Sequence, residues 1–182
     1  MLTQGEGEFL LKAARSAIES HLKGKAFSPP DTKSPALLEK RGAFVTLTEE
    51  GSLRGCIGRI EAKEPLIQTV SQMALEAAFR DPRFPSLHEK ELPAISVEVS
   101  VLSPLRRVER VEEIQVGRDG LLIEKGFAAG LLLPQVATEY GWTREEFLEH
   151  TCLKAALPVT AWKEKGVNLY AFTAEIFSEK KR

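Results

Sequence analysis

The sequence is poor in several things, and each shortage excludes a class of protein. It has two cysteines, Cys56 and Cys152, in 182 residues. That rules out a disulfide framework and fits a compartment where thiols stay reduced. It has no charge of one sign in excess: 25 Lys and Arg stand against 26 Asp and Glu, for a net charge of −1. A nucleic-acid binder needs a basic footprint, so that class ranks last. No apolar run approaches the ~20 residues that span a bilayer. Residues 1–17 lack a basic segment followed by an unbroken apolar one, so no signal peptide and a cytoplasmic location are expected. Asparagine occurs once, at Asn168, which fits a heat-adapted host. The three histidines, His21, His88 and His150, stand in no metal-ligand spacing. His150 and Cys152 on one helix point about 200° apart, so no metal site is expected. There is no dinucleotide fingerprint after a strand, no P-loop and no nucleophile elbow.

What is present is a foldable alternation of elements. Hydrophobic residues make up 43% and charged residues 28%, enough to bury a core in one domain of 182 residues, whole or split into two lobes. Thr3-x-x-Glu6 is a capping box before an amphipathic helix over 5–23, with Leu10, Ala14, Ala17, Ile18 and His21 at helical spacing. Pro35 opens a short helix. Residues 42–48 and 52–60 read as a hairpin around Glu49-Glu50-Gly51. Pro65 opens the clearest helix, whose stripe is Leu66, Val70, Met73, Ala74, Ala77 and Ala78, and which stops at Asp81-Pro82. Residues 81–92 are loop, and 94–102 alternate as a strand. A second hairpin turns at Gly126, Thr143-x-x-Glu146 caps another helix, and 168–177 is a last strand. Interspersed elements with short turns predict an α+β fold with largely antiparallel sheets and flanking helices.

Three features carry candidate chemistry. The first is Leu53-Arg54-Gly55-Cys56-Ile57-Gly58-Arg59. Glycines inside a strand mark a bulge or a close approach by a ligand or another backbone. Without a bulge, alternation puts Arg54 and Cys56 on one face, where the guanidinium would favour a thiolate nucleophile or redox group. The alternative is a buried, inert cysteine in a tight hairpin. The second is Asp81-Pro82-Arg83-Phe84-Pro85, a stiffened loop displaying an acid, a base and a ring, or else only a surface pair worth at most ~1 kcal/mol. The third is Glu98, on the less apolar face of its strand, free to pair with Arg54 or Arg83 or simply solvated. A cysteine–histidine couple requires the fold to bring a histidine to Cys56.

The same segments resemble the AMMECR-type domain family. Leu53–Gly58 reproduces its LRGCIG signature, Gly42–Leu47 its GxFVTL strand, Asp81–Phe84 its DxRF loop and Glu98–Pro104 its EVSVLSP strand. Leu132–Ala137 and Lys154–Pro158 match two later blocks, so the resemblance spans residues 8–177. Arg59 stands where Thr is common, Ser86 where Pro is frequent and Ala156 where Gly is common. The resemblance implies a single domain over 1–182 with two lobes, and a hydrophilic cleft between them lined by the LRGCIG strand. It implies no established activity and no known cofactor. It suggests a Memo-like and a radical SAM protein as partners.

Two function classes lead. In one, Cys56 is a thiolate nucleophile or redox group, Arg54 stabilises the anion, Asp81 or Glu98 serves as acid or base, and Gly55 and Gly58 admit substrate. In the other, the chain is a binding module in which Arg54, Arg59 and Arg83, with Phe84, hold a small anion or an acidic partner peptide. A nucleic-acid-linked regulator is the third.

Overall fold

The computed structural model describes residues 1–179. In chain order the elements are α1 (Gln4–Leu22), α2 (Pro35–Leu38), β1 (Ala43–Glu49), β2 (Ser52–Arg59), α3 (Leu66–Phe79), β3 (Ile95–Leu102), β4 (Arg106–Arg107), β5 (Asp119–Lys125), β6 (Ala128–Leu132), α4 (Pro134–Glu139), α5 (Arg144–Lys154) and β7 (Asn168–Ser178). Every strand pairing described is antiparallel, so the α+β expectation holds. The chain forms two compact units: Met1–Leu102 with the segment from Glu175, and Ser103–Ala174. Among the described residues no helix is long and apolar enough to cross a membrane.

The first unit grows from β1, which has β2 on one side and β3 on the other. Ala43, Val45 and Leu47 of β1 are fully buried and join Leu10, Ala14 and Ile18 of α1 and Val70, Met73 and Ala74 of α3 in one core. Period two leaves Phe44, Thr46 and Thr48 on the opposite face, half-buried. The β1–β2 turn works because Glu50 and Gly51 both take positive φ, 50° and 82°, the twist a two-residue hairpin needs. α1 starts at the expected box: the Thr3 hydroxyl accepts from the Glu6 N–H, and the Glu6 carboxylate accepts from the Thr3 N–H. α3 ends at Phe79, just before Asp81-Pro82. His21, expected in the α1 stripe, is instead exposed at the helix end, its ring 4.2 Å from that of Phe79.

The second unit has its own core. β5 pairs with β6 and with the first half of β7, while β4 pairs with Tyr170 and Ala171 of β7. Phe147, Leu148 and Cys152 of α5 pack with Leu121, Ile123, Leu169 and Ala171. The capping box at Thr143 and Glu146 forms as expected. The sequence reading missed α4, although Pro134 at its first position was a usable signal. It also missed the two-residue β4 and three single-turn 3₁₀ helices at 89–91, 111–113 and 161–163.

The two capping boxes should be separable in stability. Thr3→Ala and Thr143→Ala each remove a cap acceptor and should cost about 1 kcal/mol in chemical denaturation. Loss of nothing measurable in either variant would show that the box is ornamental.

Candidate functional site

The register decides which side chains meet. Along the first unit's sheet, Leu47 lies opposite Gly55 but Thr48 lies opposite Leu53, so Arg54 is an extra residue with no partner on β1. This bulge breaks the alternation that would have put Arg54 beside Cys56. Arg54 is 8% exposed and turns to Glu91, its Nε 2.8 Å from Oε1. The Glu91 carboxyl is held below its usual range by Arg54 first, with the His88 N–H contributing. Arg54 is therefore a buried structural cation, and the expectation that it stabilises a thiolate at Cys56 is corrected.

The group that does reach Cys56 is the Asp81–Arg83 pair. β2 is the sheet's edge, and the Cys56 N–H and C=O point out of it. Asp81 accepts the Cys56 N–H at 2.9 Å, and Arg83 Nη2 donates to the Cys56 carbonyl at 3.2 Å. The carboxylate also takes Arg83 Nε at 2.9 Å, Nη2 at 2.7 Å and the Arg83 backbone N–H at 3.1 Å. The pair thus fills the place of a neighbouring strand and covers an open edge. The Arg83 guanidinium holds the Asp81 carboxyl well below the usual carboxylate range; burial opposes this, and the Cys56 and Arg83 N–H groups add to it. A carboxylate so fully hydrogen-bonded is a poor proton acceptor, so Asp81 is a positioning residue and not the acid or base expected. Its side chain is 1% exposed, while that of Arg83 is 51% exposed, leaving one guanidinium edge open. Arg83 also stands 5.4 Å from the centroid of the half-buried Phe84 ring.

Cys56 itself is half-buried and faces the polar side of the sheet. Thr46 lies opposite it on β1, and Glu98 lies opposite Thr46 on β3. The Thr46 hydroxyl donates to Cys56 Sγ at 3.2 Å, and the Ser178 hydroxyl donates to Glu98 Oε2 at 2.7 Å. The result is a polar row, Ser178–Glu98–Thr46–Cys56, across four strands. Glu98 therefore pairs with a serine and not with either arginine. Burial pushes the Cys56 thiol up; the Thr46 hydroxyl and Arg83 work against this, while Asp81 and Glu98 reinforce it. The expected depressed, thiolate-favouring environment is not what surrounds this sulfur. No histidine is among the groups acting on it. Among the described residues no cluster of His, Cys, Asp and Glu could hold a metal ion.

The glycines serve packing. A Cβ on Gly55 would lie 2.2 Å from the Ala77 carbonyl oxygen of α3, so the missing side chain lets the helix backbone sit on the strand. At Gly58 the same atom would lie 2.2 Å from the Phe44 ring. Protein atoms fill both spaces, so neither glycine admits a substrate as expected. Arg59 lies opposite Ala43, on the helix-bearing face and away from Cys56. Sequence reasoning missed Thr46, Glu91 and Ser178. Counting the hairpin register back from Glu50-Gly51, with one bulge, would have found Thr46; nothing local marks the other two.

Comparison with known proteins places these motifs in a wider set. The sequence profile of the AMMECR1 family matches residues 11–177. The chain is 49% identical to a protein of Methanothermobacter thermautotrophicus, over 98% of this chain and 96% of the relative. It is 47% identical to protein MJ0810 of Methanocaldococcus jannaschii, over 98% and 92%. The crystal structure of the uncharacterised protein PH0010 of Pyrococcus horikoshii superposes with a TM-score of 0.91 at 47% identity, covering 96% of this chain and 92% of that one.

Two variants test this geometry. Gly55→Ala forces a Cβ into the α3 backbone and should destabilise by about 2 kcal/mol, whereas Gly5→Ala, with open space around its Cβ, should stay within about 0.5 kcal/mol of wild type. Equal effects would mean that α3 does not rest on β2 through Gly55. Because the folded Asp81 carboxyl is depressed, its contribution is present above the unfolded value of about 3.9 and is lost as pH falls through the folded one. The stability gap between wild type and Asp81→Asn should therefore be widest above pH 4 and narrow toward pH 2. A gap independent of pH would contradict the pairing.

Proposed function

The chain belongs to the AMMECR1 family, and on that premise we propose that it is a binding module that takes a peptide segment of a partner protein on the sheet face carrying Cys56, Thr46 and Glu98. The observation that carries the reading is the charge around the polar row. Asp81 and Glu98 bring two negative charges against one positive charge on Arg83, and Arg83 is already forked onto Asp81. Such a surface repels a small anion and suits a neutral or cationic group. Glu98 accepts from Ser178 through Oε2, and its other oxygen supplies the acceptor for an incoming ammonium, guanidinium or backbone N–H. Thr46 and Cys56 add short polar groups, and Arg83 offers donors at the rim. Cys56 works here as a neutral, hydrogen-bonding thiol. The Memo-like and radical SAM proteins that the resemblance suggests are the first partners to try.

A second reading keeps thiol chemistry at Cys56. It is favoured by one fact: Cys56 is part-exposed while Cys152 is fully buried. The two readings separate through Cys56→Ser, which keeps a neutral hydrogen-bonding group and removes the thiol.

A displayed library of random peptides, selected on the intact protein, tests the proposal. Peptides carrying Lys or Arg, or uncharged ones, should be enriched, Glu98→Gln should weaken their binding about tenfold, and Cys56→Ser should leave it within about threefold. Enrichment of acidic peptides, or binding indifferent to Glu98→Gln, would overturn it. Binding that disappears in Cys56→Ser would favour the thiol reading instead.

A further inference from the structure

Arg59, on the face of β2 opposite to Cys56, lines a pocket of its own. On α3, Gln72, Leu75, Glu76 and Phe79 share one face at spacings of three and four, opposite the buried stripe of Val70, Met73, Ala74 and Ala77. That face, with His21 from the end of α1 and Arg59 and Arg80, encloses a pocket of about 260 Å³ within the first unit. Three elements that are far apart in the chain therefore converge on one concavity, and the polar-row residues are not part of its lining.

The lining has an order. His21 and Phe79 form one wall, their rings 4.2 Å apart and tilted by 34°, and Leu75 adds aliphatic surface beside them. This part suits the face or edge of a planar ring. The other part holds the guanidinium groups of Arg59 and Arg80. Arg80 gives one nitrogen to Glu76 at 2.7 Å and is otherwise 74% exposed. The shortest contact of Arg59 with Glu64 is 3.5 Å, from Nη1 to Oε2, with its side chain 45% exposed. That is too long for a strong hydrogen bond, so the Arg59 fork stays available to a planar acid. Gln72 brings an amide that both donates and accepts.

We propose that this pocket binds a small aromatic acid, its ring held against His21, Leu75 and Phe79 and its carboxylate or phosphate forked by Arg59 with help from Arg80. The volume lies just under the usual range of about 300–1,000 Å³ for small-molecule sites, which admits one ring and one acid group and excludes larger cofactors. The site is independent of the peptide surface, because Arg59 projects from the face of β2 opposite to Cys56.

Amide NMR titration of the whole chain with benzoate tests this, with acetate and benzyl alcohol as controls for acid without ring and ring without acid. Benzoate should saturate with a Kd below about 1 mM and move the amides of Leu75, Glu76 and Phe79 while leaving Thr46 and Cys56 in place. Each control should bind about tenfold more weakly, and Arg59→Ala, at an exposed side chain, should weaken benzoate about tenfold. Arg80→Ala should weaken it less. Shifts centred elsewhere, equal affinity for benzyl alcohol, or unchanged affinity in Arg59→Ala would each overturn the proposal. Failure here leaves the peptide surface untouched, since its readouts are at Thr46, Cys56 and Glu98.

Discussion

An edge strand must do something with the backbone groups that face outward, and here one ion pair does it. Cys56 sits on the outer strand of the first unit's sheet with its N–H and C=O directed away from β1. Asp81 and Arg83 supply an acceptor and a donor at the spacing a further strand would have offered. The pair in turn depends on where α3 stops. Pro82 ends the helix and disfavours helical backbone at Asp81, which frees the carboxylate to reach β2 and its own loop. Remove the acid, and the edge loses a partner while Arg83 loses its anchor. The thiol's surroundings follow from the same contact, because Asp81 and Arg83 act on Cys56 with opposite signs.

The second unit repeats the device with different residues. Asp119 is buried, accepts the Gln115 N–H at 2.9 Å and is forked by Arg118 through Nε and Nη2. Burial pushes its carboxyl up, but Arg118 and the Gln115 N–H outweigh this, so the group is lowered overall. In both units an aspartate fixes a backbone N–H and holds an arginine that keeps about half its surface open. Buried carboxylates of this kind look like catalytic candidates by composition and are structural by contact. Such contacts support the recognition role proposed above over acid–base chemistry.

Local signals were legible in the sequence, and long-range partners were not. Both capping boxes and the helix stop at Asp81-Pro82 could be read from a few neighbouring residues, and they form as read, whereas β3 alternates in burial only as far as Val99, because Ser100 is buried as well. The motif around Cys56 was legible as unusual, but its meaning was not. Whether Arg54 flanks the thiol depends on a single bulge between Leu47 and Thr48, and two glycines signal a bulge or a ligand equally well. The partner of Arg54 is Glu91, in the single 3₁₀ turn at 89–91 that periodicity leaves blank. Gly55 is small because a carbonyl of α3 lies over it, a fact that belongs to helix–strand packing and to no spacing along the chain. The Arg59 pocket needs α1, β2 and α3 together and has no sequence signature at all.

Cys56 is held as a neutral thiol by its burial and placed in a polar row by the Thr46 hydroxyl beside it. The most direct measurement is the pH dependence of its alkylation, read by peptide mass spectrometry with the fully buried Cys152 as internal reference. A neutral thiol should give a rate still rising beyond the ordinary thiol value of about 8.5, with Cys152 unmodified until the chain unfolds. A rate that levels off well below that value would reveal a stabilised thiolate and contradict the neutral assignment.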